Sequence, residues 1–192
     1  HRLATLPAPE KRVALVLSTY PGKAHRMAHA IGLDALASAE AILEDLAAEG
    51  YAIAPGAPLD RALTETLVWP LPDYRAALKT LPDPLRDALT ATHGAPEDDP
   101  AVTQGAFAFA ATRRGRALVA LQPERSRRPD REGEYHDTSR IPCHAYVAFY
   151  LWLRQQADAL VHVGAHGTLE WLPGKSAALS AACWPEALAG PL

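Results

Sequence analysis

Five consecutive apolar residues, Val13 to Leu17, run directly into the polar turn Ser18-Thr19-Tyr20-Pro21-Gly22. A strand apolar on both faces belongs in the middle of a parallel sheet that is covered on both sides. Such a sheet needs crossover connections that lay helices on it, so this run commits the chain to an α/β architecture. The Pro-Gly pair ends the strand in a loop. A second run, Ala159 to Val163, is mostly apolar and partly β-branched and predicts another buried strand. Just beyond it, Gly164 and Gly167 bracket Ala165 and His166, so the backbone can turn sharply there.

Between these runs the periodicity changes. Leu36, Ala39, Leu43 and Leu46 form one helical stripe in Asp34 to Glu49, with Asp34 or Ser38 able to cap its start. Gly50 stands where a left-handed C-terminal cap belongs. Tyr51 to Ala54 predicts a strand that would complete a right-handed βαβ unit. From 55 to 100 prolines recur every few residues, with short helices predicted over Leu59–Leu67, Asp73–Thr80 and Pro84–Ala91. Ala106–Ala111 and Ala117–Leu121 predict two strands joined by Arg113-Arg114-Gly115-Arg116. Pro142 to Gln156 predicts a strong helix with Ala145, Phe149, Trp152 and Leu153 on its stripe. Leu179 to Leu188 predicts a last helix, interrupted by Pro185. The expected fold is a single α/β domain over 1–192: a mostly parallel, Rossmann-like sheet flanked by helices. It carries a short-helix insertion at about 55–100 and a hairpin at about 105–121.

Composition excludes several classes. At 192 residues, 48% hydrophobic and 21% charged, the chain can bury one sizeable core. The formal net charge of -3 argues against a nucleic-acid partner. No apolar run approaches a membrane span, and no signal peptide is visible. Cys143 and Cys183 provide neither a disulfide framework nor a CxxC metal cluster, which fits a reducing cytoplasm. A start at His1 and an end at Gly190-Pro191-Leu192 read as a piece of a longer polypeptide.

The chemistry concentrates after the second strand. His162, His166, Thr168, Glu170 and Lys175 bring proton carriers, possible metal ligands and a cation to one strand end. In open α/β sheets ligands bind outside the carboxyl ends of the strands, so Ser18, Thr19 and Tyr20 could face His166 and Glu170 across one crevice. The plainer reading makes them ordinary loop polars. Gly174-Lys175-Ser176 is not a phosphate loop: the required earlier glycine is Leu169, and Pro173 has no N–H to offer. No HExxH is present, and Cys143 lacks the Cys/His/Asn order of a thiol nucleophile. A strand histidine such as His162 is either a hydrogen-bonded core residue or a ligand, while His25 and His29 read as surface residues.

A second cluster comprises Tyr135-His136-Asp137 and Pro142-Cys143-His144-Ala145-Tyr146. His144 falls in the first turn of its helix, where the positive helix end favours a neutral imidazole able to take a proton or a metal. A capping contact would place it there equally well. Arg113, Arg114, Arg116, Arg125, Arg127, Arg128, Arg131 and Arg140 suit a rim for a polycarboxylate or, equally, a solvated surface; nucleic acid is a weaker third choice, since no aromatics interleave them.

The block His162-Val163-Gly164-Ala165-His166-Gly167-Thr168-Leu169-Glu170-Trp171-Leu172-Pro173-Gly174-Lys175 resembles the signature of the cobaltochelatase large-subunit (CobN) family, related to the magnesium chelatase large subunit. The likeness continues through Leu179-Ser180, Cys183-Trp184-Pro185-Glu186-Ala187-Leu188, Gln122-Pro123 with Arg125, Tyr135-His136-Asp137, Pro142 with His144 to Arg154, Tyr20-Pro21-Gly22 and Gly32-Leu33-Asp34. It departs at Cys143, Ala165 and His25.

The resemblance implies an ATP-dependent ligase forming nitrogen–metal bonds. Its substrate metal is Co2+, inserted into a corrin-ring precursor, hydrogenobyrinic acid a,c-diamide, in aerobic cobalamin synthesis. ATP would be used by AAA+ partner subunits of the CobS/CobT type and not bound by this chain. It implies no nucleic-acid or membrane partner, and a piece this size would be inactive alone. The implied catalytic residues are Glu170 and His166. Arg125, His136, Lys175 and Tyr20 would contact the macrocycle, and His144, His166, His162 and Glu170 would handle the metal. The alternatives are a magnesium chelatase-type subunit acting on a porphyrin, or a non-catalytic tetrapyrrole-binding or docking module.

Overall fold

The computed structural model describes residues 2–18, 29–30, 33–126, 137–164, 168–175 and 177–190. In chain order the elements are α1 (Arg2–Thr5), β1 (Val13–Leu17), β2 (His29–Ala30), β3 (Leu33–Asp34), α2 (Ala35–Ala48), α3 (Leu59–Ala62), β4 (Thr66–Pro70), α4 (Leu71–Leu78), α5 (Asp83–His93), β5 (Ala106–Arg114), β6 (Ala117–Leu121), α6 (His144–Gln156), β7 (Ala159–Val163) and α7 (Trp184–Ala189). Short 3-10 turns lie at Ala8–Glu10, Pro96–Asp98 and Leu169–Trp171.

One five-stranded sheet, ordered β4-β5-β6-β1-β7, carries the fold. β1 pairs parallel with β6 on one edge and with β7 on the other. β5 and β4 extend the sheet antiparallel. The expected α/β class with a parallel centre is therefore present, and the antiparallel strands make the sheet mixed. β1 occupies the centre as its composition requires, with Val13 at 6% and the other four residues at 0% exposure.

Alternation along β1 feeds two cores. Ala14 and Val16 join side chains from α4, α5, α6 and α7 on one face of the sheet. Val13, Leu15 and Leu17 join Ala35, Ala39 and Leu43 of α2 on the other. Side chains two apart share a sheet face, so the same parity sends Leu118 and Ala120 of β6 toward α6. α6 is buried nearly all round, at nine of its thirteen residues. A helix of that kind forms the centre of a layer and not a surface stripe.

The start of α2 follows expectation: the Asp34 carboxylate accepts the Ala37 N–H at 3.0 Å. Gly50 follows the helix at φ +81°.

Other expectations are corrected. Tyr51 to Ala54 is not a strand, because both edges of β1 are already paired, with β6 and β7. The segment instead crosses the hairpin tip, where Ala52 O accepts the Arg116 N–H at 2.8 Å. The helix expected over Leu59–Leu67 stops at Ala62, and Thr66–Pro70 becomes an edge strand. Proline is tolerated at that edge, where no ladder donor is missed. The proline-rich insertion thus contributes a strand to the sheet. β5 runs through Arg114, which leaves only Gly115-Arg116 as the turn. The last helix starts at Trp184, so Pro185 lies in its first turn, where proline needs no N–H.

Candidate functional site

The carboxyl ends of β6, β1 and β7 meet at one place. The Gln122 N–H donates to Leu17 O at 2.9 Å, and the Ser18 N–H donates to Val163 O at 3.1 Å. Val16 pairs with His162, and one step past the last β1–β6 pair sets Ser18 against Gln122. Parity then places Gln122, Ser18 and His162 on the sheet face covered by α6. The Ser18 hydroxyl oxygen is buried there with no hydrogen-bond partner among the described residues.

α6 meets these strand ends with Tyr146 and Tyr150, one helical turn apart and both at 0% exposure. The Gln122 amide nitrogen donates to the Tyr146 hydroxyl at 3.3 Å and also to the Tyr150 hydroxyl. The Tyr146 hydroxyl lies 2.7 Å from Thr168 Oγ1, and that of Tyr150 lies 2.9 Å from His162 Nε2. A buried polar fork thus runs from Gln122 to the two ends of the segment that begins at His162 and leads to Glu170.

Glu170 is exposed on the 3-10 turn Leu169–Trp171, and its charge acts on the fork. Burial lowers the His162 pKa, and Glu170 pulls it partly back up. The His162 ring packs on Tyr150 with centroids 6.0 Å apart, while the residue as a whole stays exposed. Burial is also the first cause raising both phenols, with Glu170 adding to it, so both remain protonated.

Arg125 is 1% exposed, and its Nη1 donates to Trp171 O at 2.9 Å and to Asp137 O at 3.1 Å. As placed, it ties the Glu170 turn to neighbouring loops instead of standing on an outer rim to receive a carboxylate. Lys175 is exposed, and its N–H donates to Cys183 Sγ at 3.3 Å.

His144 is fully buried, with Nε2 3.1 Å from Gly94 O and Nδ1 2.7 Å from Tyr74 Oη. A carbonyl only accepts, so Nε2 carries the hydrogen and Nδ1 accepts from tyrosine. Neither nitrogen then offers a lone pair to a cation, which replaces the metal-ligand expectation for His144 with a core hydrogen-bonding role.

The arginines do not form one rim. Arg113, Arg114 and Arg116 flank the β5–β6 turn, at the sheet edge opposite Gln122. Arg114 is buried and donates to Ala57 O beside Glu40. Tyr20, His136, His166, Thr19, His25, Arg127, Arg128 and Arg131 lie outside the described residues. Among the described residues no group of three His, Cys, Asp or Glu side chains could hold a metal ion. Nor is any helix among them long and apolar enough to cross a membrane.

Gln122, Tyr146 and Tyr150 were not read as site residues from sequence. The signal that finds them is parity: Gln122 continues the alternation of Leu118 and Ala120, and two tyrosines spaced by four share a helix face.

This is an α/β fold with a polar side-chain cluster at the carboxyl edge of three parallel strands, the edge such sheets use for ligands. The CobN/Magnesium Chelatase family model matches residues 1–192, and the chain belongs to that family. It is 43% identical over 212 residues to the aerobic cobaltochelatase subunit CobN of Pseudomonas aeruginosa, covering 99% of this chain and 17% of that one. Identity to the Sinorhizobium subunit of the same name is 40% over 203 residues, covering 95% and 16%. The structure titled catalytic subunit of cobaltochelatase from Mycobacterium tuberculosis matches at a TM-score of 0.82 with 34% identity, covering 100% of this chain and 18% of that one. The chain therefore spans about a sixth of the length of these relatives.

Proposed function

We propose that this chain is part of the metal-inserting large subunit of an ATP-dependent cobaltochelatase. The reaction is insertion of Co2+ into hydrogenobyrinic acid a,c-diamide during aerobic cobalamin synthesis. Insertion exchanges ring N–H protons for the cation, so a base must lie beside the macrocycle. The arriving cation also needs ligands weak enough to release it. In this reading Glu170 takes a ring proton or passes the metal, His166 shares that task, and His162 stands behind them. Tyr20, His136 and Lys175 contact the macrocycle, and Arg125 holds the Glu170 turn from below. AAA+ partner subunits of the CobS/CobT type use the ATP, consistent with a Gly-Lys that departs from the phosphate-loop pattern.

One observation carries this reading. Glu170 is an exposed carboxylate whose turn is fixed by a buried arginine and whose charge acts on His162, Tyr146 and Tyr150. The test is Glu170→Gln in the full-length subunit, reconstituted with its partner subunits, corrin substrate, ATP and Co2+. Cobalt insertion, followed in the visible spectrum, should fall by about 10²- to 10⁴-fold, the range for loss of a proton-transfer group. Full retained activity would end the assignment. Offering Mg2+ and a porphyrin in parallel decides the magnesium reading. A subunit that binds neither ring nor cobalt in a spectral titration would instead be a docking module.

A further inference from the structure

The fork beneath Glu170 has a direction, and the direction follows from hydrogen counting. The Gln122 amide nitrogen can only donate, and it donates to both phenol oxygens. Each phenol has a single hydrogen, and its accepting side faces the amide. The Tyr150 oxygen takes the amide hydrogen and is also bonded to the Tyr146 hydroxyl, which leaves His162 Nε2 as the acceptor for the Tyr150 hydrogen, while either oxygen of the Tyr146–Thr168 pair can be its donor. His162 Nε2 is an acceptor, so the neutral ring carries its hydrogen on Nδ1. Gln122 is 2% exposed and Thr168 6%, so water competes little for these bonds.

We infer that Gln122 is a positioning residue that, through Tyr150, sets the tautomer of His162 at the start of the segment that leads to the Glu170 turn. The tautomer assignment rests on geometry alone, and its value to catalysis rests on the function proposed above. A ring held with Nδ1–H offers the cleft a donor on that nitrogen. The opposite tautomer would offer a lone pair there, which would hold an arriving cation more tightly or take a ring proton out of turn. The group that decides between these states is the buried Gln122 amide. It stands at the end of β6, fixed by its own N–H to Leu17 O.

The test reads the tautomer directly. The full-length subunit is labelled with 15N-histidine, and the His162 signals are assigned by difference against His162→Gln. Nε2 should give the shift of an unprotonated nitrogen and Nδ1 that of a protonated one; the reverse pattern in the unsubstituted subunit overturns the inference without any variant. Gln122→Glu keeps the shape but offers a carboxylate that accepts from both phenols. Tyr150 oxygen is then free to accept, and His162 should switch to Nε2–H. In the reconstituted reaction kcat should fall about 10- to 100-fold, the range for partners that orient active groups, with KM nearly unchanged. Tyr150→Phe should relax the tautomer to a mixture. A Gln122→Glu subunit that folds and keeps both tautomer and kcat would also overturn the inference. The tautomer needs no turnover to be read. An active Glu170→Gln subunit would thus end the catalytic reading alone, and a reversed tautomer would end this one alone.

Discussion

Arg125 Nη1 donates to the main-chain oxygen of Trp171 at 2.9 Å, one residue beyond Glu170. The same nitrogen reaches Asp137 O at 3.1 Å, and the Arg125 carbonyl accepts the Cys143 N–H at 2.9 Å. A single buried side chain thus joins the loop after β6, the approach to α6 and the turn carrying Glu170. Being 1% exposed, it fixes that turn without meeting solvent.

Arg125→Met keeps the stem and removes the donors, leaving two carbonyls without this partner. Losing a hydrogen bond from a charged donor costs about 1.5–3 kcal/mol. Urea unfolding should show a loss in that range or above, with cobalt insertion falling alongside. Unchanged stability would mean that the arginine does not anchor the turn.

The crossing of Tyr51–Ala54 over the hairpin tip makes Gly115 unreplaceable. At φ +63°, a Cβ there would lie 2.3 Å from Ala52 O. Gly115→Ala should destabilise by about 1–3 kcal/mol or more. Gly105, at φ +73° with nothing within 4 Å of a Cβ, carries the conformational penalty alone. The comparison checks the contact: equal losses at the two positions would show that the Ala52 approach contributes nothing.

Tyr74→Phe removes the 2.7 Å hydrogen bond to the buried His144 Nδ1. The expected loss is about 1–3 kcal/mol in thermal or urea unfolding. Metal and macrocycle binding should not change, because His144 works inside the core. A variant of normal stability that lost metal binding would return His144 to the site.

Stability should fall on acidification through the imidazole range. His162 has its pKa lowered in the folded chain, first by burial. The unfolded chain therefore takes up this proton first, as pH drops below about 6.5, and unfolding is favoured from there down to the lower folded value. His162→Gln should flatten the slope of unfolding free energy against pH in that window. An unaltered slope would place the titration elsewhere.

The sequence by itself determined the central strand, the caps of α2, the exclusion of a phosphate loop and the family block from His162 to Lys175. These are local properties: an apolar run, an Asp three residues before a free N–H, the absence of one glycine. Thr66–Pro70 shows where local reading stops. Its residues suit the end of a helix or an edge strand, and only pairing with β5 decides between them. Tyr51–Ala54 failed for the converse reason, since a strand-like segment forms no ladder when both edges of β1 are filled.

The site divides in the same way. That Glu170 and His162 lie near one strand end was legible from their spacing, whereas the arginines looked like a single rim until the hairpin put Arg113, Arg114 and Arg116 at the far edge of the sheet. Gln122, Tyr146 and Tyr150 fall within the family likeness, but nothing along the chain says that they meet. Their meeting depends on the register of β6 against β1 and on which face of the sheet α6 covers. Register and facing are set by contacts distant in sequence, which leave no periodic trace along the chain, so only the tertiary structure could decide them.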